Sequence, residues 1–521
     1  MSASTERKNR IAAREAGTDK KTLAALEEEK KKATSKRRWT WGTIGVIVLI
    51  AAILILNSGV LYTASTALTV GGEKYSPAEV NYYYGSEYMN MANYLSYFGV
   101  DTTLGLRGLG SQECSWTDGG TWRDYFRDMA KNDVHQTQVL LNYAKENGIT
   151  LTEEEIAEVE ANFEGIDEMA KSYGYSGADA LYAMNYGSGV TQKVVRAAAL
   201  NQKLAEKAST QKQDSLTWTD EELEEYYAGL NGDKDLFDYS TYYVSAETKE
   251  EAVTDENGEE TTKMVADDQT RAEAKATADA IVMGFKDGAD IEDMTERFEV
   301  AVEHETGDLP TAQDGQSGGS IPEAYAEWVK GARKAGDIEV FADAETDPAG
   351  YTVVLFFSRE DNHYATASVR HILIKAEADA DGNYTDEAKA AAKARAEEIL
   401  AEYEAGEKTE DSFAALAEKY SEDDGSNTNG GLYENIYHGQ MVQEFNDFCF
   451  GGHKPSDTAI VYGESGSYAG YHVVYYVGDG PLYSTYLAKT EKQSAAMEEW
   501  QSGLLDACEV KEGFGFRLIG K

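Results

Sequence analysis

Cysteine and histidine are scarce in this chain of 521 residues, with 3 and 7 copies, and the 48 lysines and arginines are few beside the acidic residues. The cysteines are odd in number and far apart in sequence, so they do not form a disulfide framework. The 93 acidic residues leave a net charge of −45, and so acidic a body is a poor candidate for binding nucleic acid because it repels phosphates. The sequence has no HExxH, CxxC or phosphate-binding loop and no metal-ligand spacing of histidines. We therefore expect no metal or cofactor.

Charge is missing altogether from residues 41–56, and the near-apolar stretch continues to about residue 62. Its length approaches the roughly 20 residues that a membrane-spanning helix needs. The preceding arm, residues 1–38, has 12 basic and 6 acidic residues, which favours an N-terminus inside the cell. The pattern predicts a single-pass anchor over residues 39–62 and a main body outside the cytoplasm. The alternative is a cleaved signal peptide, since Ser65-Thr66-Ala67 resembles a cleavage site.

Residues 68–230 have mostly helical patterns. Capping boxes are predicted where Thr152 precedes Glu155 and where Thr219 precedes Glu222, because each pair has the spacing at which side chain and backbone cap one another. These signals predict a helical domain between the anchor and the rest of the chain.

Tyrosine and methionine are concentrated in residues 80–100. This segment is interpreted as the core face of a helix, with an adaptable apolar surface for unfolded chains as the alternative. Near the other end, over residues 484–521, apolar side chains recur at spacings of 3, 4 and 4, which predicts the inner face of a further helix. Its members are Met497, Trp500, Leu504 and Cys508.

From about residue 235 onward the chain repeats itself. Residues 274–293 align without a gap on residues 392–411, and "AGYTVVLFF" in the first copy matches "AGYHVVYYV" in the second. Each copy reads as a strand, helices, a loop, another helix and a closing strand. We therefore predict an α+β module used twice, over residues 235–362 and 366–480.

Five motifs follow one another in the second copy: "RHILI", "FAALAEKYSED", the glycine pair of "NTNGGLY", "GQMVQEFNDFCF" and "GYHVVYYV". Together they resemble the parvulin family of peptidyl-prolyl cis/trans isomerases over about residues 366–479. The wider layout is similar to extracytoplasmic foldases of the SurA and PrsA type. That resemblance implies an α+β multidomain chain with a transmembrane helix, a helical chaperone domain, and two parvulin-like modules of antiparallel sheet with helices. It also implies a C-terminal helix that packs on the chaperone domain.

The resemblance implies a catalytic site built on His371 and His472, one in each of two strands. In parvulins the two strand histidines face each other beneath the catalytic groove and are linked by hydrogen bonds. Asp423 falls where parvulins carry an acidic or thiol group near the substrate amide. The substrate side would be formed by residues at the proline pocket and along the groove: Met441, Phe445, Leu432, Tyr433 and Ser467.

Such a site needs no covalent chemistry. Rotation of an X–Pro bond is opposed by amide resonance, with a barrier of about 18–20 kcal/mol. A catalyst has only to hold the ring in an apolar pocket and favour the twisted amide over the planar one. The resemblance thus implies an isomerase and chaperone whose partners are unfolded or newly exported polypeptides with X–Pro bonds. The alternative is a holdase in which the parvulin folds serve only as binding scaffolds.

The first copy lacks the histidine pair. Thr241 and Thr352 stand where the second copy has its histidines, whereas Ile321 and Tyr325 occupy the places of the proline-pocket residues. We interpret residues 235–362 as a degenerate parvulin-like module that serves as a spacer or client surface. The alternative is that an acidic, low-complexity stretch has been aligned on a domain that it does not share.

Overall fold

The computed structural model of the chain describes most of the residues beyond the predicted anchor. The anchor itself, residues 39–62, lies largely outside the described residues. Within the part of the chain that the structure describes, no helix is long and apolar enough to cross a membrane. The anchor therefore stays a prediction from the sequence. The described residues are 3–16, 24, 31, 40–41, 43–44, 46–49, 59–254, 260–306, 316–343, 350–380, 382–466 and 468–521.

The chain folds into two compact units. The first comprises residues 1–216 together with 496–521, and the second comprises residues 217–495. Helices dominate the first unit, whereas the second contains antiparallel sheets covered by helices. The predicted α+β multidomain class is therefore confirmed.

The first unit is built on three long helices that share one core: Pro77–Leu95, Trp122–Glu146 and Gln192–Asp214. The capping box predicted at Thr152 is confirmed at the start of α6: its hydroxyl accepts from the Glu155 amide, and the Glu155 carboxylate accepts from the Thr152 amide. In chain order the helices are α1 (Ala3–Glu15), α2 (Val60–Ala64), α3 (Pro77–Leu95), α4 (Gly105–Gly108), α5 (Trp122–Glu146), α6 (Glu153–Ala161), α7 (Ile166–Ser172), α8 (Ala178–Tyr186) and α9 (Gln192–Asp214).

The tyrosine- and methionine-rich segment is divided between core and surface. Val80 and Tyr84 in the first half of α3 are fully buried, and the Tyr84 ring meets the edge of Phe126 in α5 with ring centroids 6.2 Å apart. At the far end of the segment, Tyr94 and Tyr97 are 62% and 84% exposed. The first half is thus part of the core, whereas the second half combines buried residues, such as Leu95 and Val100, with exposed aromatic rings.

Strands that are far apart in sequence build a small sheet in the first unit. Strand β1 (Leu68–Val70) pairs antiparallel with β2 (Glu73–Tyr75) on one side and with the strand Val510–Glu512 on the other. Beyond that strand, Phe516 and Ile519 are buried in the same core. The C-terminal segment is therefore part of this unit's core.

The helix Tyr483–Asp506 precedes that strand. Its residue Trp500 packs against Tyr143 of α5, with ring centroids 4.9 Å apart. The prediction that Cys508 lies on the inner face of this helix is wrong, because the helix ends at Asp506 and the chain turns there to enter the strand. Cys508 nevertheless packs, half-buried, against the apolar core of the unit.

Helix α10 (Asp220–Gly229) opens the second unit, whereas the sequence analysis placed it in the helical domain over residues 68–230. The predicted capping box at its start, between Thr219 and Glu222, is present. Its apolar face packs on Ala488, and the hydroxyl of Tyr227 donates a hydrogen bond of 2.7 Å to the buried carboxylate of Asp235. These contacts assign α10 to the second unit.

The second unit contains two modules, the first from β3 to β9 and the second from β10 to β13. The first module consists of β3 (Leu236–Ser245), β4 (Thr248–Thr254), β5 (Glu260–Ala266), α11 (Asp268–Lys286), α12 (Ile291–Arg297), β6 (Val302–Glu305), β7 (Gln316–Ser317), α13 (Glu323–Lys330), β8 (Ile338–Asp343) and β9 (Gly350–Glu360). The second consists of β10 (Ala365–Lys375), α14 (Asp386–Ala405), α15 (Glu410–Tyr420), β11 (Leu432–Ile436), α16 (Gln443–Cys449), β12 (Thr458–Ser465) and β13 (Tyr468–Leu482).

The two modules share one sheet topology. The strand order is β6-β3-β9-β8 in the first and β11-β10-β13-β12 in the second, with every neighbouring pair antiparallel. The first module has in addition the hairpin β4–β5 between its first strand and helix. The repeat predicted from the sequence is thus present in the fold. Equivalent core residues of α11 and α14 lie 118 positions apart: Ala274, Ala278 and Ile281 in the first, and Ala392, Ala396 and Ile399 in the second.

Candidate active site

The two strand histidines of the second module meet on one face of its sheet. Strands β10 and β13 are antiparallel, with His371 opposite Val474 and Leu373 opposite His472, so the histidines are diagonal neighbours on the same face. Their Nδ1 atoms are 3.0 Å apart, and both side chains are buried. The structure therefore places the pair as the parvulin resemblance implies.

A continuous chain of hydrogen bonds runs through the pair. The Nε2 atom of His371 lies 2.9 Å from Oδ2 of Asp423, and the hydroxyl of Tyr468 lies 3.1 Å from Nε2 of His472. An ionised carboxylate can only accept, so Nε2 of His371 donates to it. With both imidazoles neutral, Nδ1 of His371 then accepts from Nδ1 of His472, whose Nε2 accepts from Tyr468. Every polar group along the chain is satisfied in this arrangement.

Asp423 is the charged end of the chain. Its Oδ2 atom also accepts from the hydroxyls of Ser426, at 2.6 Å, and Tyr433, at 3.1 Å, while Oδ1 accepts from the amide of Gly425. The hydrogen bond from His371 is the largest cause that holds the pKa of Asp423 well below its ordinary value, although partial burial acts in the opposite sense. The carboxylate is therefore ionised at neutral pH, and it is 21% exposed.

His472 is held neutral. Burial lowers its pKa to about 3, and the neighbouring His371 acts in the same direction, because a charged imidazole is disfavoured away from water. A neutral ring has one donor and one acceptor nitrogen. One donor and one acceptor are what the two partners of His472 require, since His472 donates to His371 and accepts from Tyr468.

An apolar wall stands against the histidines. The ring of Phe445, in α16, is 2% exposed and meets both imidazoles edge-on, with centroids 5.6 Å from His371 and 5.2 Å from His472. Met441 and Tyr433 pack half-buried against the same apolar cluster. The structure thus brings five of the predicted residues into direct contact, and Met441 into the adjoining apolar layer.

The remaining predicted groove residues are less directly placed. Leu432 is half-buried at the start of β11, where its backbone pairs with Arg370 beside the histidine strand. Ser467 lies outside the described residues. Their contribution to substrate binding stays a prediction.

Two glycines make room for the histidines. The amide of His371 donates to the carbonyl of Gly431 at 2.8 Å, and a Cβ at Gly431, where φ is +72°, would collide with the carbonyl of His371. In β12, which pairs with the strand of His472, a Cβ at Gly463 would lie 2.7 Å from Nε2 of His472. Only glycine combines a positive φ with this close approach at Gly431, so the loop and the strand can sit tightly against the site.

Ser426 and Tyr468 are functional neighbours that the sequence patterns do not predict. Tyr468 lies four residues before His472 in one strand, and an even spacing places both side chains on the same face of the sheet. Ser426 follows Asp423 by three residues, within the local turn that aspartate side chains stabilise. Both spacings can be read from the sequence, but neither identifies a site residue unless the positions of the histidines are already known.

A comparison with protein families matches residues 351–477 to the PPIC-type PPIase domain. No curated protein sequence matches the chain. The family match covers all of the hydrogen-bonded side chains described above.

Among solved structures, the chain is similar to the peptidylprolyl isomerase PrsA from Bacillus anthracis, with 22% identity over 28% of this chain and 59% of that one, and a TM-score of 0.18. For PrsA from Bacillus cereus the identity is 24% over 28% of this chain and 49% of that one, with a TM-score of 0.18. For PrsA from Bacillus subtilis the identity is 14% over 75% of this chain and 90% of that one, with a TM-score of 0.29. The match thus spans 59% and 49% of the lengths of the first two proteins, and TM-scores this low carry no weight for function.

The domain match is the stronger comparison. It begins in β9 and extends almost to the end of β13, so that it includes both histidine strands, the Asp423 loop and helix α16. The second module is therefore a parvulin-type peptidyl-prolyl cis/trans isomerase domain, and the enzyme class expected from the sequence is confirmed.

Proposed function

We propose that the chain isomerises X–Pro bonds in unfolded or newly exported polypeptides at the outer face of the membrane. The observation that carries the proposal is the buried hydrogen-bonded chain that ends on Asp423, with the ring of Phe445 packed against its two imidazoles. It provides a fixed charge next to an apolar wall, which is the combination that the reaction uses.

In this mechanism the apolar wall receives the proline ring, and Asp423 acts on the amide. Resonance in the planar amide places partial negative charge on the carbonyl oxygen, and this charge is lost as the bond twists. A carboxylate near that oxygen disfavours the planar form more than the twisted one. The barrier is lowered because the site favours the transition state over the ground state.

The histidines act through their neighbours in this proposal. His371 holds Asp423 by a hydrogen bond, and His472 holds His371. Because the carboxylate is already bound to several donors, it needs little reorganisation when substrate arrives. His371 and His472 are thus positioning residues, and Asp423 and Phe445 are the groups that we expect to touch the substrate, with Met441, Leu432, Tyr433 and Ser467 along the groove.

Replacing the carboxylate tests this assignment. Asp423→Ala is expected to lower kcat/KM for X–Pro isomerisation about tenfold, which corresponds to a loss of about 1.4 kcal/mol of transition-state stabilisation. The fold should persist, because Nε2 of His371 keeps the Ser426 hydroxyl as a partner at 3.0 Å. Proline-limited refolding of a client measures the rate. Asp424→Ala, which removes the adjacent exposed charge, is the control and should retain full activity.

Unchanged activity in Asp423→Ala would reject the site. Suppression of client aggregation provides a second readout, because we assign it to the helical unit, where Tyr94, Tyr97 and Phe98 are exposed. Apolar surfaces of this kind mark interaction sites. If the unaltered chain suppresses aggregation but does not accelerate isomerisation, the holdase function is the better description.

The membrane location rests on the basic arm and the uncharged stretch that follows it. Protease added to intact cells is expected to degrade residues beyond 65 and to spare residues 1–38. Immunoblotting with an antibody against each region provides the measurement. A protected main body, or a mature chain beginning near Leu68, would contradict the anchor.

A further inference from the structure

The first module contains a cavity of about 790 Å³ on its sheet face. Thr241 and Thr352 line it, and these residues replace the histidine pair of the second module. The register supports the equivalence, because Thr241 pairs with Val354 in β9. His371 pairs in the same way with Val474 in β13. The cavity therefore occupies the position at which the second module has its hydrogen-bonded histidines.

One wall of the cavity is aromatic. The rings of Tyr239 and Tyr325 meet edge to face with centroids 6.1 Å apart, and Tyr325 lies 5.9 Å from Phe341. All three residues line the cavity. Aromatic faces carry partial negative charge and attract cations, most strongly arginine and lysine side chains.

The charged residues of the lining are acidic. Glu303, at the end of the sheet, and Glu323, at the start of α13, both line the cavity and are exposed. Among the described lining residues there is no lysine or arginine. Carboxylates in a concave site focus negative potential within it, so charge and aromatic faces favour the same kind of ligand.

We propose that this cavity binds the cationic side chain of an arginine or lysine in an extended polypeptide. Its volume is within the range of pockets that bind small molecules, so it has room for one such side chain. The site is separate from the isomerase site and needs none of its residues. It gives the first module a binding function selective for basic segments of a client, in place of catalysis.

The test uses the full chain and a fluorescein-labelled peptide of glycine and serine with two central arginines. A matched peptide carries citrulline, which has nearly the same shape but no charge. The arginine peptide is expected to bind more tightly than the citrulline peptide. Glu303→Gln combined with Glu323→Gln should weaken the affinity for the arginine peptide about tenfold, because two partly exposed ion pairs are lost. Fluorescence anisotropy measures both affinities.

Two further variants test the location. Glu327→Gln removes the same charge from an exposed position one turn further along α13, outside the cavity lining, and should leave the affinity unchanged. Phe341→Leu keeps an apolar side chain but removes an aromatic face, and should weaken the arginine peptide about threefold while leaving the citrulline peptide unaffected.

Equal binding of the two peptides, no binding of either, or equal weakening by Glu327→Gln would each overturn the proposal. Isomerase activity is measured on the same samples and should not change in any of these variants. If the unaltered chain shows no preference for the arginine peptide over the citrulline peptide but isomerises normally, this inference alone is refuted. Full activity of Asp423→Ala would refute the proposed catalytic site and leave this one untouched.

Discussion

Lowering the pH from 6 to 4 is expected to reduce the free energy of unfolding of the second module by about 1.4 kcal/mol for each pH unit. The cause is His472, whose pKa is lowered by burial from 6.5 to about 3 in the folded state. Between these two values the unfolded chain binds a proton that the folded module excludes. The stability is fully present above pH 6.5 and is lost as the pH falls toward 3.

Asp423 adds to this effect at the acid end. Its folded pKa is below the ordinary value of 3.8, so its contribution is present above that value and is lost as the pH falls below it. The two groups therefore act in the same direction but in successive pH ranges. Between pH 6 and 4, His438 of the same module adds a contribution of the same sign, because burial also lowers its pKa.

Amide hydrogen exchange in β10 and β13, corrected for its intrinsic pH dependence, measures the stability of this module within the full chain. His472→Gln retains a donor and an acceptor but does not titrate, and should reduce the slope between pH 6 and 4 to the part that His438 contributes. His363→Gln replaces a histidine that is 46% exposed and should leave the slope as it is. Equal slopes in all three proteins would show that His472 is not buried as described.

Phe445→Ala is expected to lower the free energy of unfolding of the same module by about 3–5 kcal/mol, the usual loss for a fully buried phenylalanine. This substitution affects more than the proposed proline pocket, because the Phe445 ring also packs against both imidazoles and belongs to the apolar core. Phe445→Leu keeps most of the apolar volume and should cost about 1 kcal/mol. Denaturant titration followed by amide exchange gives the stabilities.

A second variant separates folding from catalysis. Phe448→Ala removes another buried ring of α16 from the same cluster, but its ring neighbours are His453 and Tyr476 and not the histidine pair. Under conditions in which all variants are folded, Phe445→Ala should have lost isomerase activity and Phe448→Ala should have kept it. Similar activity in the two would mean that Phe445 is a core residue without a catalytic part.

Local and repeating patterns could be predicted from the sequence, whereas tertiary neighbours could not. The capping boxes at Thr152 and Thr219 depend on residues three apart, and the helix repeat depends on a constant offset of 118, so both are visible without a structure. The meeting of His371 with Asp423 required the motif order of a known family. Without it, a histidine and an aspartate 52 residues apart have no recognisable relation.

The misplaced elements have physical reasons of the same kind. Helix α10 was grouped with the helices before it because its pattern is helical, yet its apolar face packs on Ala488, far away in sequence. Cys508 continued a helical spacing that the chain itself does not follow beyond Asp506. The hydroxyl that bonds to His472 belongs to Tyr468, which no motif of the sequence singles out. The spacing of apolar residues predicts which face of a helix is buried. It does not predict which element packs on that face or where the helix ends.

The small sheet of the first unit has a consequence for the order of folding during synthesis. Strand β1 is made early, but its partner strand Val510–Glu512 emerges only after the whole of residues 217–495. Domains generally fold as the chain appears, so the isomerase module can be complete and active while the helical unit still lacks an edge strand and part of its core. A nascent chain would then acquire its catalytic activity before its helical unit is finished.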